Sequence, residues 1–516
     1  MSYRTIIGLE VHVQLLTRTK LFCGCSTKFG LPPNSATCPI CTGTPGTMPV
    51  MNRTAFRLAV KAALALNCEI AAFTKWDRKN YFYPDLPKNY QISQYDLPFS
   101  HDGWLEIATE AGPKKVGILR AHLEEDAGKM LHDEAGGGRD SLVDLNRTGT
   151  PLLEIVSHPD MDAAEEAKTY LEQIRLLLKE IEVSDCEMQE GSLRCDANVN
   201  LHVPQPDGSF IATPIVEIKN LNSFRNVERA VKYEAERQHA EYQERLGKDW
   251  SVDLGKPTKF RDYRTYGVVE KKPEGGVGPV SKATAGWDDR FGRTEIQRRK
   301  EEASDYRYFP EPDLTPVTVS AEQIAEARSS LGELPEAQRA RLQAEHGLSE
   351  YDANVVSSQG RAFVAYFESA ARACGDAKEA CNWATNEILS ALNDRKIAVD
   401  EFALTSTRLA DLIRETKSVG LNKQKAREVF AAMLESDVDA KAAIAQLGFT
   451  MVSDEGQLRE MVVRAIGANA KAVADFKKGK VKAADAIKGA VMRETKGLAK
   501  MEQVQRLLLE ELAKLP

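Results

Sequence analysis

Leu9-Glu10-Val11-His12-Val13-Gln14-Leu15 alternates apolar and polar residues without a break. In a β-strand, residues two apart share a face. Leu9, Val11, Val13 and Leu15 therefore turn to a core, while Glu10, His12 and Gln14 project together. A strand that merely faces solvent more often carries Lys, Thr or Ser there. A carboxylate beside an imidazole suits a hard cation or phosphate chemistry. The weight of that reading depends on partner carboxylates elsewhere in the chain.

Four further stretches supply them. Arg120-Ala121-His122-Leu123-Glu124-Glu125-Asp126-Ala127-Gly128-Lys129 holds three consecutive acids. Their repulsion must be relieved by a cation or a basic group, and the flanking Arg120, His122 and Lys129 suit phosphate with Mg²⁺. Asp144 to Val156 reads as a strand, a tight polar turn and a second strand. Glu154 is a lone acid inside the apolar run Leu152–Val156 and needs a metal or a buried Arg as partner; the two are equal on this ground. Arg194, Asp196, Asn198 and Asn200 alternate with apolar residues, and Glu217 to Phe224 has the same character. One such face is ordinary. Several together, rich in Glu, Asp, Arg and Asn, describe antiparallel strands sharing a polar site.

Asp77-Arg78-Lys79-Asn80-Tyr81-Phe82-Tyr83-Pro84 interleaves cations with aromatic rings, and Asp305-Tyr306-Arg307-Tyr308-Phe309-Pro310 does so again. Such surfaces stack bases and grip phosphates. Lys79, Tyr81 and Tyr83 are the residues expected to meet a nucleotide. No G-x-x-x-x-G-K-[ST] loop, kinase motif set or Gly- and Ser-rich amidase-like stretch is present, so nucleotide chemistry must use an acidic, Mg²⁺-centred sheet.

Cys23-Gly24-Cys25 and Cys38-Pro39-Ile40-Cys41 form two close pairs. Four thiolates on two turns suit a tetrahedral Zn²⁺ with no open position, hence a structural one. Cys68, Cys186, Cys195, Cys374 and Cys381 are scattered, and nine cysteines in a chain of 516 residues are no disulfide framework.

The length predicts two to four domains, and 28% charged with 42% hydrophobic residues is ordinary for a globular protein. Net charge is −7, but Ser406–Pro516 carries 20 Lys and Arg against 15 Asp and Glu, a tail of +5 on a body of −12. That tail permits an RNA contact, as does the Lys477–Lys482 cluster. No apolar run approaches the ~20 residues of a membrane span, and Met1–Thr5 lacks the apolar region of a signal peptide. The expectation is a cytoplasmic protein without membrane association.

Residues 1–295 read as short strands with interspersed helices. Strands are expected over Ile6–Leu16, Val116–Leu119, Ser141–Leu145, Leu152–Ser157, Ser192–Val203 and Ile215–Lys219, and a helix over Asn52–Asn67. Asp162 with Glu165 reads as a capping box, and Ser223 as the cap of a long helix to about Leu246. Lys248–Gly292, rich in Gly and Pro, reads as loop or insertion. From Ala321 the pattern is helical, with breaks near Gly347–Ser349 and Ala398–Thr407. Val504, Leu507, Leu508, Leu512 and Leu515 form an apolar stripe, read as core.

Taken in order, GLEVHVQL, DRKNYFYPDLPKNYQISQYDLP, HLEEDAGK, DLNRTGTPLLEIVSHPD, EGSLRCDANVNL, EIKNLNSFRNVERA and DYRYFPEPDL resemble one family, the B subunits of the bacterial aspartyl/glutamyl-tRNA(Asn/Gln) amidotransferases. These stretches span most of residues 3–318. The resemblance implies an α+β fold: an antiparallel-sheet cradle like that of glutamine synthetase over residues 1–295, a helical domain over 296–405, and a helical tail domain over 406–516, where the +5 charge and the lysine cluster suggest the tRNA contact. It implies a heterotrimeric enzyme in which the A subunit is an amidase and the C subunit is small. With ATP and Mg²⁺, the B subunit would phosphorylate the side-chain carboxylate of Glu-tRNA(Gln) or Asp-tRNA(Asn), and ammonia from glutamine would displace the phosphate. Glu10, His12, Glu125 and Glu154 fall on the family's metal positions, with Glu124 able to exchange with Glu125. Lys79, Arg194 and Asp196 lie in matching motifs and suit phosphate or carboxylate. The four cysteines match those members that keep all four. Lys248–Gly292 is longer than the family's usual link. The competing reading is a non-catalytic, zinc-bearing RNA-binding subunit.

Overall fold

The computed structural model describes residues 3–132, 141–204, 210–244, 252–253, 282–300, 306–449, 455–477, 483–495, 499 and 501–514. The chain forms two compact units, Met1–Leu334 and Pro335–Pro516. The expected end of the first domain, at residue 295, falls inside a strand of the first unit, Arg293–Lys300.

Unit 1 is built on an 11-stranded sheet. In chain order its strands are β1 (Arg4–Gln14), β2 (Glu69–Ile70), β3 (Ser100–Thr109), β4 (Gly112–Glu125), β5 (Pro151–Ser157), β6 (Leu193–Pro204), β7 (Phe210–Ala212), β8 (Val216–Lys219), β9 (Val252–Asp253), β10 (Lys282–Asp288) and β11 (Arg293–Lys300). The spatial order is β11-β10-β8-β6-β1-β5-β4-β3-β2, with β7 beside β6 and β9 beside β7. The alternation of residues 9–15 makes β1 a central strand, antiparallel to β5 on one side and β6 on the other. Leu9, Val11 and Val13 are buried in the core, and each such side chain contributes about 1.5–3 kcal/mol. Three helices supply the opposing apolar layer: α1 (Arg53–Ala65), α2 (Ala164–Glu180) and α3 (Phe224–Glu244). Asn52 caps α1 by accepting from the N–H groups of Thr54 and Ala55, and Ser223 Oγ accepts from Asn226 N at the start of α3. The sheet's other face carries the polar residues.

Two local expectations need correction. The capping box at Asp162 does not form. The cap position is Ala163, without a side-chain bond. Asp162 is drawn instead to Arg4 and Lys114, and Glu166, not Glu165, accepts from its backbone N–H. Within Lys248–Gly292, residues 248–251 and 254–281 lie outside the described set, but Lys282–Asp288 is a sheet strand rather than a loop. It pairs parallel with β8, the one parallel pair in the described part of this sheet, and Ala285 and Trp287 alternate into the core.

Unit 2 is helical, from Pro335–His346 to Met501–Ala513. Its breaks fall where Gly and Ser interrupt the pattern: Ser349 caps the helix Glu350–Ser357, and Thr405 caps Ser406–Val419. The unit has two cores, one spanning Leu342 to Phe449 and one Leu458 to Leu512. Val504, Leu507, Leu508 and Leu512 are buried in the second. Leu515 and Lys478–Lys482 lie outside the described residues, as does Asp305 in unit 1. Among the described residues no helix is long and apolar enough to cross a membrane.

Candidate active site and metal centres

Strand register assembles the site. Arg194 of β6 lies opposite His12 of β1, His12 opposite Glu154 of β5, and Glu154 opposite His122 of β4. Four polar residues from four adjacent strands thus form one row, with neighbouring strands about 4.8 Å apart. Glu124, two residues beyond His122 on β4, extends the same face. His12 Nε2 lies 3.5 Å from Glu154 Oε2 and 3.7 Å from Glu124 Oε1, and His122 Nε2 is 3.4 Å from Glu154 Oε2. The donor atoms of His12, Glu124 and Glu154 all lie within 4.8 Å of one another.

This cluster is short of positive charge. Burial disfavours a charged His12, yet hydrogen bonding to Glu154 and the charges of Glu154 and Glu124 outweigh it and push its pKa up to about 9. Burial and the neighbouring Glu154 raise the Glu124 carboxyl. Glu154 moves the other way, because His122 and His12 overcome its burial. Glu124 Oε2 and His122 Nδ1 are buried without a hydrogen-bond partner. An imidazole and two carboxylates, one with an orphan oxygen, fit a divalent cation with coordination positions left for substrate oxygens.

Lys79 comes from a small separate sheet. Its strand, Asp77–Asn80, pairs with Tyr90–Ser93 and with Phe309–Pro310. Burial disfavours its charge, but Glu124, Tyr308 and Glu154 raise its pKa well above the usual range, and its Nζ lies 5.2 Å from the Tyr306 ring centre. Tyr81 meets Tyr306 edge-on at 6.2 Å, and Tyr95 stacks on Tyr308 at 3.9 Å. Tyr83 stands at the surface, 54% exposed. Arg78 fixes the segment after Tyr308 through Glu311, at 2.6 and 2.8 Å.

The other predicted residues are distributed differently. Glu125, next to Glu124, points the opposite way because strand side chains alternate. It pairs with Lys88 and accepts from Ile92 N at 3.0 Å, so the cluster takes Glu124 and leaves Glu125 outside. Glu10 sits two residues along β1 from His12 and accepts from Asn198 Nδ2 at 2.8 Å. Asp196 faces Glu10 across the strands and pairs with Lys219 at 2.5 Å, which also reaches Glu217 at 3.0 Å. Arg194 is anchored by Asp126 at 2.7 Å.

Asp126 is a residue to which the sequence alone assigns no role. Arg194, Arg147 at 3.3 Å and the Gln14 amide at 2.7 Å converge on it. Its burial favours protonation, but those partners hold its carboxyl below the usual range. Gln14, the third polar residue of the opening strand, therefore holds the acid that orients Arg194. The signal available in sequence was the shared parity of Gln14, His12 and Glu10.

The four cysteines also converge. The sulfurs of Cys23, Cys25, Cys38 and Cys41 lie within 4.8 Å of one another, and a tetrahedron with Zn–S near 2.3 Å places sulfurs about 3.8 Å apart. All four are free thiols. The Cys41 thiol is lowered by hydrogen bonding from Cys23, which outweighs its burial, and Lys20 beside it acts in the same sense. Lys20 Nζ lies 3.5 Å from Cys41 Sγ, and the Cys38 N–H donates to the same sulfur at 3.2 Å. Four sulfurs, one already favoured as thiolate, fit Zn²⁺.

Comparison with known proteins agrees with this architecture. Residues 5–325 match the family described as GatB/GatE catalytic domain, and residues 365–512 the one described as GatB domain. The chain is 48% identical over 513 residues to a protein of Rhodopirellula baltica named as the B subunit of aspartyl/glutamyl-tRNA(Asn/Gln) amidotransferase, covering 99% of this chain and 97% of that one. It is 45% identical over 514 residues to a protein of the same name from Caldanaerobacter subterraneus, covering 100% of both.

Proposed function

The chain belongs to the GatB/GatE family, and from that premise we propose that it is the component of a tRNA-dependent amidotransferase that activates the side-chain carboxylate of Glu-tRNA(Gln) or Asp-tRNA(Asn). The observation that carries the reading is the His12–Glu124–Glu154 cluster with Lys79 beside it. A carboxylate oxygen of the aminoacyl group attacks the terminal phosphorus of ATP. The bond to the bridging oxygen breaks, ADP leaves, and an acyl phosphate forms. Ammonia then attacks the acyl carbon, inorganic phosphate departs, and the amide remains. Two anions must approach for the first step, so catalysis is chiefly positioning and charge stabilisation.

His12, Glu124 and Glu154 would hold Mg²⁺, which when bound screens the phosphate charge. Lys79 supplies a half-buried ammonium to an anionic oxygen. Arg194, fixed by Asp126 and Gln14, presents its guanidinium to carboxylate or phosphate. Tyr81, Tyr306 and Tyr308 wall the site and exclude water, which protects the acyl phosphate from hydrolysis. The acidic face on a mostly antiparallel sheet supports a glutamine synthetase-like cradle. Cys23, Cys25, Cys38 and Cys41 would hold a structural Zn²⁺. Ammonia comes from glutamine through the amidase of the complex, its A subunit. A small C subunit completes the heterotrimer, and the +5 tail of residues 406–516 supports contact with tRNA.

The convergence of His12, Glu124 and Glu154 ligand atoms within 4.8 Å of one another, with Lys79 beside them, favours this reading over a non-catalytic RNA-binding role. The test is the reconstituted heterotrimer supplied with ATP, glutamine and mischarged tRNA. Glu154→Gln should abolish amide formation while glutamine hydrolysis and tRNA binding persist. Full activity in that variant would remove the assignment.

A further inference from the structure

The cations around this polar face are accounted for almost completely by neighbouring carboxylates. Arg194 and Arg147 have Asp126, Lys219 has Asp196 and Glu217, and Arg78 has Glu311. Lys79 and Arg120 depart from this pattern: among the described residues neither has a carboxylate within ion-pair distance.

Arg120 lies on β4 two residues before His122 and four before Glu124, so it shares their face. The strand rise puts it about 7 Å from His122 along β4. Its register partners are Val156 on β5 and His101 on β3, neither of which is an acid. Its Nε is buried and has no hydrogen-bond partner. Its guanidinium carbon lies 5.9 Å from the centre of the Tyr95 ring, and Tyr95 in turn stacks on Tyr308. A half-buried guanidinium with an orphan donor, held against an aromatic pair at the rim of an acidic cluster, lacks an anion.

We propose that Arg120 binds the phosphoryl group transferred from ATP, as the cation on the β4 side of the His12–Glu124–Glu154 cluster. This rests on the amidotransferase reading above. As the terminal P–O bond of ATP breaks and the carboxylate O–P bond forms, charge spreads over three equatorial oxygens. Lys79 reaches the group from the small sheet and Arg120 from the main sheet, so the two unpaired cations come from separate elements. The planar fork of Arg120 can donate through Nε and one Nη together to two phosphoryl oxygens.

The test uses the assembled heterotrimer with Mg²⁺, and equilibrium binding of β,γ-imido-ATP and of AMP. Arg120→Gln is expected to weaken imido-ATP binding about ten- to a hundredfold and to leave AMP binding and glutamine hydrolysis unchanged. Arg120→Lys, which keeps the charge and loses the fork, should fall between Arg120→Gln and the native enzyme. Added guanidinium ion should restore turnover in Arg120→Ala, which a merely structural role would not allow. Unaltered imido-ATP affinity in Arg120→Gln overturns the proposal, and so does a loss confined to the KM for aminoacyl-tRNA. A native enzyme that fails to bind imido-ATP overturns the underlying reading instead, and this proposal with it.

Discussion

The cysteine knuckle and the carboxylate cluster are both fit for a cation, and they are built in opposite ways. The knuckle draws four sulfurs from 19 consecutive residues, Cys23 to Cys41, and a backbone N–H and a buried lysine already serve one sulfur. It is local, closed and symmetric in chemistry. The carboxylate cluster draws His12, Glu124 and Glu154 from three strands far apart in sequence, and leaves buried polar atoms unpaired. It is non-local, open and electrostatically incomplete. A closed sulfur cage serves the fold. An open oxygen and imidazole face leaves room for a substrate.

The sharpest way to break this contrast is to separate two adjacent acids. Glu124→Gln is expected to lower amide formation about a thousandfold and to abolish Mn²⁺ binding followed by electron paramagnetic resonance. Glu125→Gln should retain Mn²⁺ binding. Its cost is to stability, about 3–5 kcal/mol in denaturant unfolding, because Lys88 and Glu125 are both buried and the substitution leaves the ammonium unpaired. Equal Mn²⁺ affinities in the two variants would contradict the strand alternation on which the cluster depends.

The knuckle should respond in stability and metal content. Cys38→Ser is expected to reduce bound zinc well below one equivalent and to lower the melting temperature by about 5 °C or more, with Mn²⁺ binding retained. Full zinc content with unchanged melting would show that the four sulfurs hold no structural metal.

A smaller effect concerns pH. The His12 pKa is raised to about 9 in the metal-free protein. Its contribution to stability is therefore fully present below the ordinary value near 6.5 and is lost as pH rises through about 9. Divalent cation must displace that proton, so apparent affinity should rise with pH until about 9, by at most about tenfold per unit. Imidazole NMR of the metal-free protein gives the midpoint directly. A His12 titrating near 6.5 would mean that Glu124 and Glu154 do not face it.

The same contrast explains what the sequence made legible. The knuckle was readable from spacing alone, because its geometry is contained in two turns. The opening strand was readable from its period of two, as was the apolar layer beneath it. Cluster membership was not. Whether Glu124 or Glu125 faces His12 depends on the register of β4 against β5, and a shift of one residue exchanges them. Asp126 and Gln14 were hidden for the same reason, since their bond joins residues 14 and 126 across strand ends. Lys282–Asp288 was missed because its core-facing residues include Ala283 and Ala285, too small to signal a strand among glycines and prolines. Asp162 failed as a cap because Arg4 and Lys114, both distant in sequence, draw on its carboxylate.

In the proposed mechanism this sheet face joins the tRNA-linked carboxylate to phosphate before ammonia arrives. The most direct measurement labels both side-chain carboxylate oxygens of Glu-tRNA(Gln) with ¹⁸O and follows them through one turnover of the assembled enzyme with ATP and glutamine. One ¹⁸O is expected in the inorganic phosphate for each amide formed, and none with Glu124→Gln. Amide formation by the native enzyme with unlabelled phosphate would contradict that mechanism.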